Sequence, residues 1–298
     1  MRRKVILLLA GASAVAFTWA IMTSIKPQPT AEGASLERWV FQFVESDLDN
    51  PDSPESKQAA DALRAIGNEG IPYLLKWMNV ESSSWRRQLD NAVSKLPHSS
   101  QLSAMIEKPG IRANFSVHAF RALREQGSNA IPTLIQFLTN TNKPETAMGA
   151  SMVLGYIGKP AVPALVEMLG NAQLPNRDLA AHALACMDDV GTNATVAVPV
   201  LLCLSTASDS DLANTAVLAL GHIALDPDRV VPVLIKRLTS PYFEDRFRAA
   251  LALSSFHESA KSAIPDLLSR RPGAEPEERE VIDYALTQIA PQSPCQSQ

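Results

Sequence analysis

Cysteine is scarce in this chain. Three residues, Cys186, Cys203 and Cys295, in 298 make neither a disulfide framework nor a paired-cysteine zinc pattern. Aromatic residues are only 6% of the chain, although 46% of it is apolar, so packing falls to alanine and leucine. A basic excess is missing too. The formal charge is −4, and without Arg2, Arg3, Lys4 and Lys26 of the first 30 residues it becomes −8. An acidic body excludes a nucleic-acid binder, whose affinity rests on neutralising phosphates. No Gly-x-Ser-x-Gly elbow, phosphate loop or Gly-rich nucleotide motif occurs, so no small-molecule substrate and no cofactor are indicated.

What is present is a recurring stretch. Ile71-Pro72-Tyr73-Leu74-Leu75 returns as Ile131-Pro132-Thr133-Leu134-Ile135, Val162-Pro163-Ala164-Leu165-Val166, Val198-Pro199-Val200-Leu201-Leu202, Val231-Pro232-Val233-Leu234-Ile235 and Ile264-Pro265-Asp266-Leu267-Leu268. The steps between prolines are 60, 31, 36, 33 and 33 residues, so the first spans about two periods and the others one. Proline suits the first turn of a helix, where its missing N–H has no partner to lose. With the proline as zero, apolar residues at −1, +2, +3 and usually +6 form the stripe of an amphipathic helix.

Before each such helix runs another, rich in alanine: 59–67, 119–123, 150–158, 180–187, 215–224 and 249–256. Alanine is the best helix former and permits close helix contact, so these segments are expected to pack against their neighbours in adjacent units. Gly67, Gly127, Gly158 and Gly191 are placed to end the first helix in a left-handed cap. One hairpin of this size cannot bury its own apolar stripe and must stack. The fold class that follows is all-α: an α-α superhelix of about seven helical hairpins over residues 35–292, right-handed or gently curved, preceded by an N-terminal hydrophobic helix. Residues 36–48 read as an N-terminal cap, and 277–289 as a C-terminal cap whose polar outer side carries Glu277, Glu278, Arg279, Glu280 and Asp283. Between Pro72 and Pro132 a degenerate unit is expected, with helices at 85–96 and 99–106. Residues 28–34 read as a Pro-rich linker and 293–298 as a disordered tail.

Residues 5–25 form an uncharged, mostly apolar run behind Arg2-Arg3-Lys4. As a helix it would be about 31 Å long, enough to cross a bilayer. Residues 1–27 are therefore an uncleaved anchor, or an export signal if cleaved. In the first case the positive charges stay inside and the array lies on the extracytoplasmic side, single-pass; in the second the protein is secreted or periplasmic.

The repeat residues resemble HEAT repeats, most closely the short bacterial type named after phycobilisome lyases. Arg246, Ala249, Ala250, Ala252 and Leu253 match its first helix, as do Leu154-Gly155-Tyr156-Ile157-Gly158, while Ala161-Val162-Pro163-Ala164-Leu165 matches the opening of its second. The resemblance covers roughly 55–290 and implies an architecture, with protein binding its usual use. It also implies an alternative, a lyase- or hydroxylase-type enzyme or an accessory subunit of one. The hydroxylases of this fold hold two irons on recurring His-Glu pairs; here only His257-Glu258 has that order. No catalytic, cofactor or metal residue is therefore assigned.

Two local readings remain. Cys186 and Cys203 read as small buried thiols on the two helices of one unit, where a disulfide is conceivable. Asp209 reads as a helix cap. Positions +1, +4 and +5 of the second helices lie opposite the expected stripe, on what HEAT arrays use as the concave side. Tyr73, Lys76, Trp77, Gln136, Phe137, Met168, Lys236, Arg237 and Arg270 are the candidate contacts for a protein or peptide partner, aromatic at one end and basic at the other. The expected function is a non-catalytic, membrane-tethered scaffold.

Overall fold

The computed structural model describes residues 28–79, 100–187 and 192–291, with side chains at 100–109 and 192–193 left out. The expected anchor at 5–25, the helix at 85–96, Gly191 and the tail with Cys295 lie outside the described residues. Residues 28–34, expected to be a linker, instead begin a small hairpin. Strand β1 (Thr30–Ala31) pairs antiparallel with β2 (Ala34–Ser35), Thr30 opposite Ser35. Glu32 and Gly33 turn the chain at φ 48° and 77°, the doubly positive geometry of a two-residue hairpin. Helix α1 (Leu36–Asp49) follows, its start capped by Ser35, and Trp39 Nε1 donates to the Ala31 carbonyl at 2.8 Å.

Then come the paired helices. The first unit is α2 (Pro54–Ile66) with α3 (Ile71–Met78), and the second α4 (Ser100–Leu123) with α5 (Ile131–Leu138). The third is α6 (Pro144–Ile157) with α7 (Val162–Gly170), and the fourth α8 (Arg177–Ala185) with α9 (Val198–Leu204). The fifth is α10 (Ser210–Ile223) with α11 (Pro227–Arg237), the sixth α12 (Phe243–Ser254) with α13 (Ile264–Arg270), and α14 (Pro276–Ile289) closes the array. Six hairpins fall within the described residues; the seventh expected one draws on the helix at 85–96, which lies outside them. The first unit stacks directly on the second: α2 and α3 both pack on α4, and Arg64 Nε donates to the Ala122 carbonyl at 2.9 Å. In stacking, the units on either side of the long proline gap are therefore direct neighbours. Helix α4 also runs through Pro109-Gly110, where a boundary was expected; one missing N–H does not end it.

Five of the six recurring prolines occupy the first turn of a helix. Pro232 lies inside α11, because Pro227 opens that helix a turn earlier. The +2 leucines, Leu74, Leu134, Leu165, Leu201, Leu234 and Leu267, are buried in every unit, and the +4 residues are exposed in every unit. Position +5 is half-buried or buried and +3 is half-buried or exposed, so the stripe sits further round the helix than the pattern implied. Helix ends at positive φ occur, though not all at glycine. Gly67 (φ 51°, ψ −129°) and Gly158 (φ 75°, ψ −136°) end their helices at positive φ but outside the left-handed helical region, Ala224 (φ 47°, ψ 36°) is left-handed without glycine, and positive φ falls at His257 and, near Gly127, at Arg124.

The first helices form the tight layer. Their alanines, among them Ala59, Ala119, Ala150, Ala180, Ala216 and Ala249, are fully buried between units. A Cβ added to Gly221 would meet the Ala252 backbone at 2.7 Å, and one on Gly155 the Ala183 carbonyl at 3.1 Å. Second helices instead seat against the first helix of the next unit, with little packing on one another. A two-layer stack bends toward its closer-spaced layer, so the inner side belongs to the first helices. That reverses the expectation that the second helices line the concave side. No single described helix is long and apolar enough to cross a membrane; α6 and the segment through α7 pass only as a pair bent by 119°, and both carry core residues.

Two substitutions test this layer. Gly221→Ala forces backbone apart and is expected to cost about 1–3 kcal/mol, while Ala224→Gly relieves a left-handed alanine and is expected to add about 0.5–1 kcal/mol. Thermal and urea unfolding read both.

Candidate protein-interaction surface

The nine residues singled out on the second helices divide by position. Lys76, Gln136 and Lys236, at +4, are exposed. They face the outer layer, together with Glu167, Cys203 and Ser269. Tyr73, at +1, is half-buried against the core. The +5 residues are spent on packing or pairing. Met168 is 1% exposed and is no surface residue. Phe137 packs against the core, and Trp77 does too, with the Arg112 guanidinium 6.0 Å from its ring centre. Arg112 is itself tied to Glu37 of α1 at 2.5 Å. The nine do not assemble into one groove.

The two arginines of the set are similarly committed. Arg237 donates to Asn214 Oδ1 and Asp245 Oδ1, each at 2.7 Å, and to the Ser205 carbonyl, binding α9, α10 and α12 to α11. Arg270 shares Glu278 with Arg246. Arg246 grips the two Glu278 oxygens at 2.8 Å each, and Arg270 Nε approaches at 2.8 Å. Glu278 was expected on the polar outer side of the last helix; it is 1% exposed and faces inward. Burial alone would raise its pKa, but the hydrogen bonds and charges of Arg246 and Arg270 lower it to about 2.

Reactive groups were sought on the same helices. Ser151 Oγ donates to the Leu179 carbonyl at 2.7 Å and lies 2.9 Å from His182 Nδ1, so that ring nitrogen carries the proton. Cys186 Sγ sits 3.5 Å from His182 Nε2. A thiol, an imidazole and an orienting hydroxyl are thus neighbours. Burial raises the Cys186 pKa, while burial, against the pull of Asp178, lowers that of His182. Both groups stay neutral, the opposite of an activated thiolate–imidazolium pair. Cys186 and Cys203 are free, and Cys203 is exposed rather than buried. Among the described residues no three His, Cys, Asp or Glu side chains can share a metal ion. His257 and Glu258 are exposed, Glu258 paired with Lys261 at 2.9 Å. Asp209 does cap α10, accepting from the Asp211 and Leu212 amides at 3.1 and 3.2 Å.

The first helices carry a feature that the search for second-helix contacts passed over. In α2, α6, α8, α10, α12 and α14 the second helical residue is an acid: Glu55, Glu145, Asp178, Asp211, Glu244 and Glu277. The last five follow at constant steps of 33 residues, although the corresponding proline steps vary between 31 and 36. Aligning the chain on these acids rather than on the prolines would have revealed the row. Beside it, between the starts of α10 and α12, lies a cleft of about 650 Å³ lined by Asp211, Asn214, Arg237, Tyr242 and Glu244.

No protein-family profile matches the chain, and no curated protein matches it in sequence. Solved structures do share its fold. Kap121p bound to Nup53p aligns at a TM-score of 0.50 and 14% identity, over 85% of this chain and 29% of that one. An engineered protein aligns at 0.45 and 23% identity, over 74% and 96%. A designed armadillo repeat protein in complex with peptide (KR)4 aligns at 0.41 and 16%, over 86% and 100%. The fold is thus a HEAT- or armadillo-type α-solenoid; the phycobilisome-lyase subtype is not distinguished by these likenesses.

Glu278 has a depressed pKa, so its contribution is fully present above the ordinary glutamate value of 4.5 and is lost as pH falls from there toward 2. The loss amounts to about 3 kcal/mol. Glu278→Gln, unfolded in urea at pH 7 and pH 3, is expected to be destabilised at pH 7 and to lose less than the parent between the two.

Proposed function

We propose that this chain is a non-catalytic scaffold that holds a protein partner against the inner, first-helix side of its array. One observation carries the reading: each described unit leaves corresponding first-helix positions half-buried or exposed. They are Asp61 on α2, Arg121 on α4, Met152 on α6, Ala185 on α8, Leu218 on α10 and Leu251 on α12. These side chains are polar at the N-terminal end of the array and apolar through its middle, and Met148 is 44% exposed. Apolar anchors in a polar surround are what a protein interface uses. The only thiol–imidazole pair found among the described residues is neutral, so it offers no activated nucleophile.

The tether belongs to the same reading. Residues 5–25 anchor the protein, Arg2-Arg3-Lys4 stay inside, and the array works on the extracytoplasmic side. The lyase- or hydroxylase-type alternative rests on the repeat alone. Lys76, Gln136 and Lys236 on the outer layer are the competing contact surface.

Photo-crosslinking in the native membrane separates the two faces. A crosslinking residue in place of Met152 or Leu218 is expected to give a discrete protein adduct, and one in place of Lys76 or Lys236 none. Adducts from the outer pair alone would reverse the choice of face, and none from either pair would remove the scaffold reading. A reporter fused after residue 30 is expected to be active only outside the cytoplasm.

A further inference from the structure

We propose that the cleft between the starts of α10 and α12 binds a neutral pyranose sugar, its flat C–H face on the Tyr242 ring and its hydroxyls on Asp211 and Asn214. This goes beyond the scaffold reading, which concerns a protein on the inner side. At about 650 Å³ the cleft has the size of sites that hold small ligands, about 300–1,000 Å³.

The residues that build it break the repeat. At the register of Asn214, in steps of 33, the neighbouring first helices carry Met148, Ala181, Phe247 and Glu280. At the register of Tyr242 the chain has Lys143, Asn176, Asp209 and Glu275. The first-turn acids are common to all these units and select nothing by themselves. An amide and an exposed aromatic ring line one cleft only here among these five registers.

The wall holds hydrogen-bonding groups that the protein leaves unspent. Asn214 is 9% exposed and lends its Oδ1 to Arg237 at 2.7 Å, while its two Nδ2 protons have no partner among the described residues. Arg237 Nε is buried and unmatched as well, although Nη1 and Nη2 are both engaged. Native walls rarely leave such donors unmet, and a ligand oxygen satisfies them. Asp211 uses its amide on Asp209 and its carbonyl on Thr215, so its carboxylate is unengaged too.

Charge selects the class of ligand. An anion meets Asp211 and Glu244, and a cation meets the Arg237 guanidinium in the same wall. Asp245 offers neither any help, being saturated by Arg237 and by the Ser240 hydroxyl at 2.7 Å each. A neutral molecule that both donates and accepts escapes both penalties, and a hydroxyl does both. Adjacent hydroxyls can donate to the two oxygens of the Asp211 carboxylate and accept from the Asn214 amide.

Tyr242 supplies the apolar platform. Its ring is 71% exposed, yet its loop is pinned. Arg246 Nη1 donates to the Ser240 and Pro241 carbonyls at 3.0 and 2.9 Å, and the Tyr242 amide donates to Ser240 Oγ at 3.3 Å. Phe243 also lines the cleft, its ring centre 5.6 Å from that of Phe247. A rigid aromatic face loses little freedom when a sugar ring lies on it.

The test titrates the full-length chain, in a detergent without a sugar headgroup, by calorimetry and saturation-transfer NMR. The probes are maltose, cellobiose and diacetylchitobiose, then sorbitol, glucuronate and glucosamine. At least one of the three disaccharides is expected to bind about tenfold tighter than sorbitol, which has hydroxyls but no ring face, and than either charged sugar. Tyr242→Ala and Asp211→Asn are each expected to lower that affinity about tenfold while the melting midpoint moves little. Tyr242→Phe keeps the ring and is expected to bind like the parent; should Asp211→Asn unfold, the two Tyr242 variants carry the test. A six-unit chain of the same sugar that binds tighter than the disaccharide assigns the cleft to a glycan, and equal affinity assigns it to a free sugar or a chain end. Failure of all three disaccharides to bind, sorbitol or a charged sugar binding as tightly, or unchanged affinity in the folded Ala and Asn variants overturns the inference. Crosslinks at 152 and 218 report on the scaffold whichever way the sugars fall.

Discussion

The structure depends on how closely one alanine-rich helix can lie against the next. At Gly221 the neighbouring helix backbone leaves no room for even a methyl group, and full burial of alanines from Ala59 to Ala249 extends the same contact along the stack. Small side chains set a short distance in this layer, and the larger Leu, Ile and Val residues of the second helices hold the other layer wider. The direction of bending follows from that difference in residue size. So does the division of labour: the second helices wedge units together, and the first helices line the inner side.

The helices themselves were legible because their signals are local. A proline in the first turn, a leucine two residues later and an alanine run before them state both helices of each unit. What escaped was mostly set by tertiary neighbours. Met168 and Trp77 fall where a helical wheel puts solvent, but the next unit's first helix covers that side. Glu278 looks like one more acid in an exposed run and is buried because Arg246 and Arg270 converge on it from two earlier helices. The stacking across the long proline gap was equally unreadable from sequence, since only the α2–α4 contact shows that the first unit seats directly on the α4 unit.

The acidic row shows the converse, a long-range regularity that was present in the sequence and went unread. Proline steps drift because the span from the edge acid to the proline of the same unit is 18 residues in the third unit, Glu145 to Pro163, and 21 in the fourth, fifth and sixth. The edge acids keep constant steps regardless. The inner stack is therefore the fixed frame of the molecule, and the turns absorb the variation.

The direct seating of α2 and α3 on α4 has a further meaning for how the rod tolerates change. Adjoining layers keep their contacts across the longest interval between recurrent prolines, 60 residues, so pitch is set by the helix faces that meet and not by the number of residues counted between them.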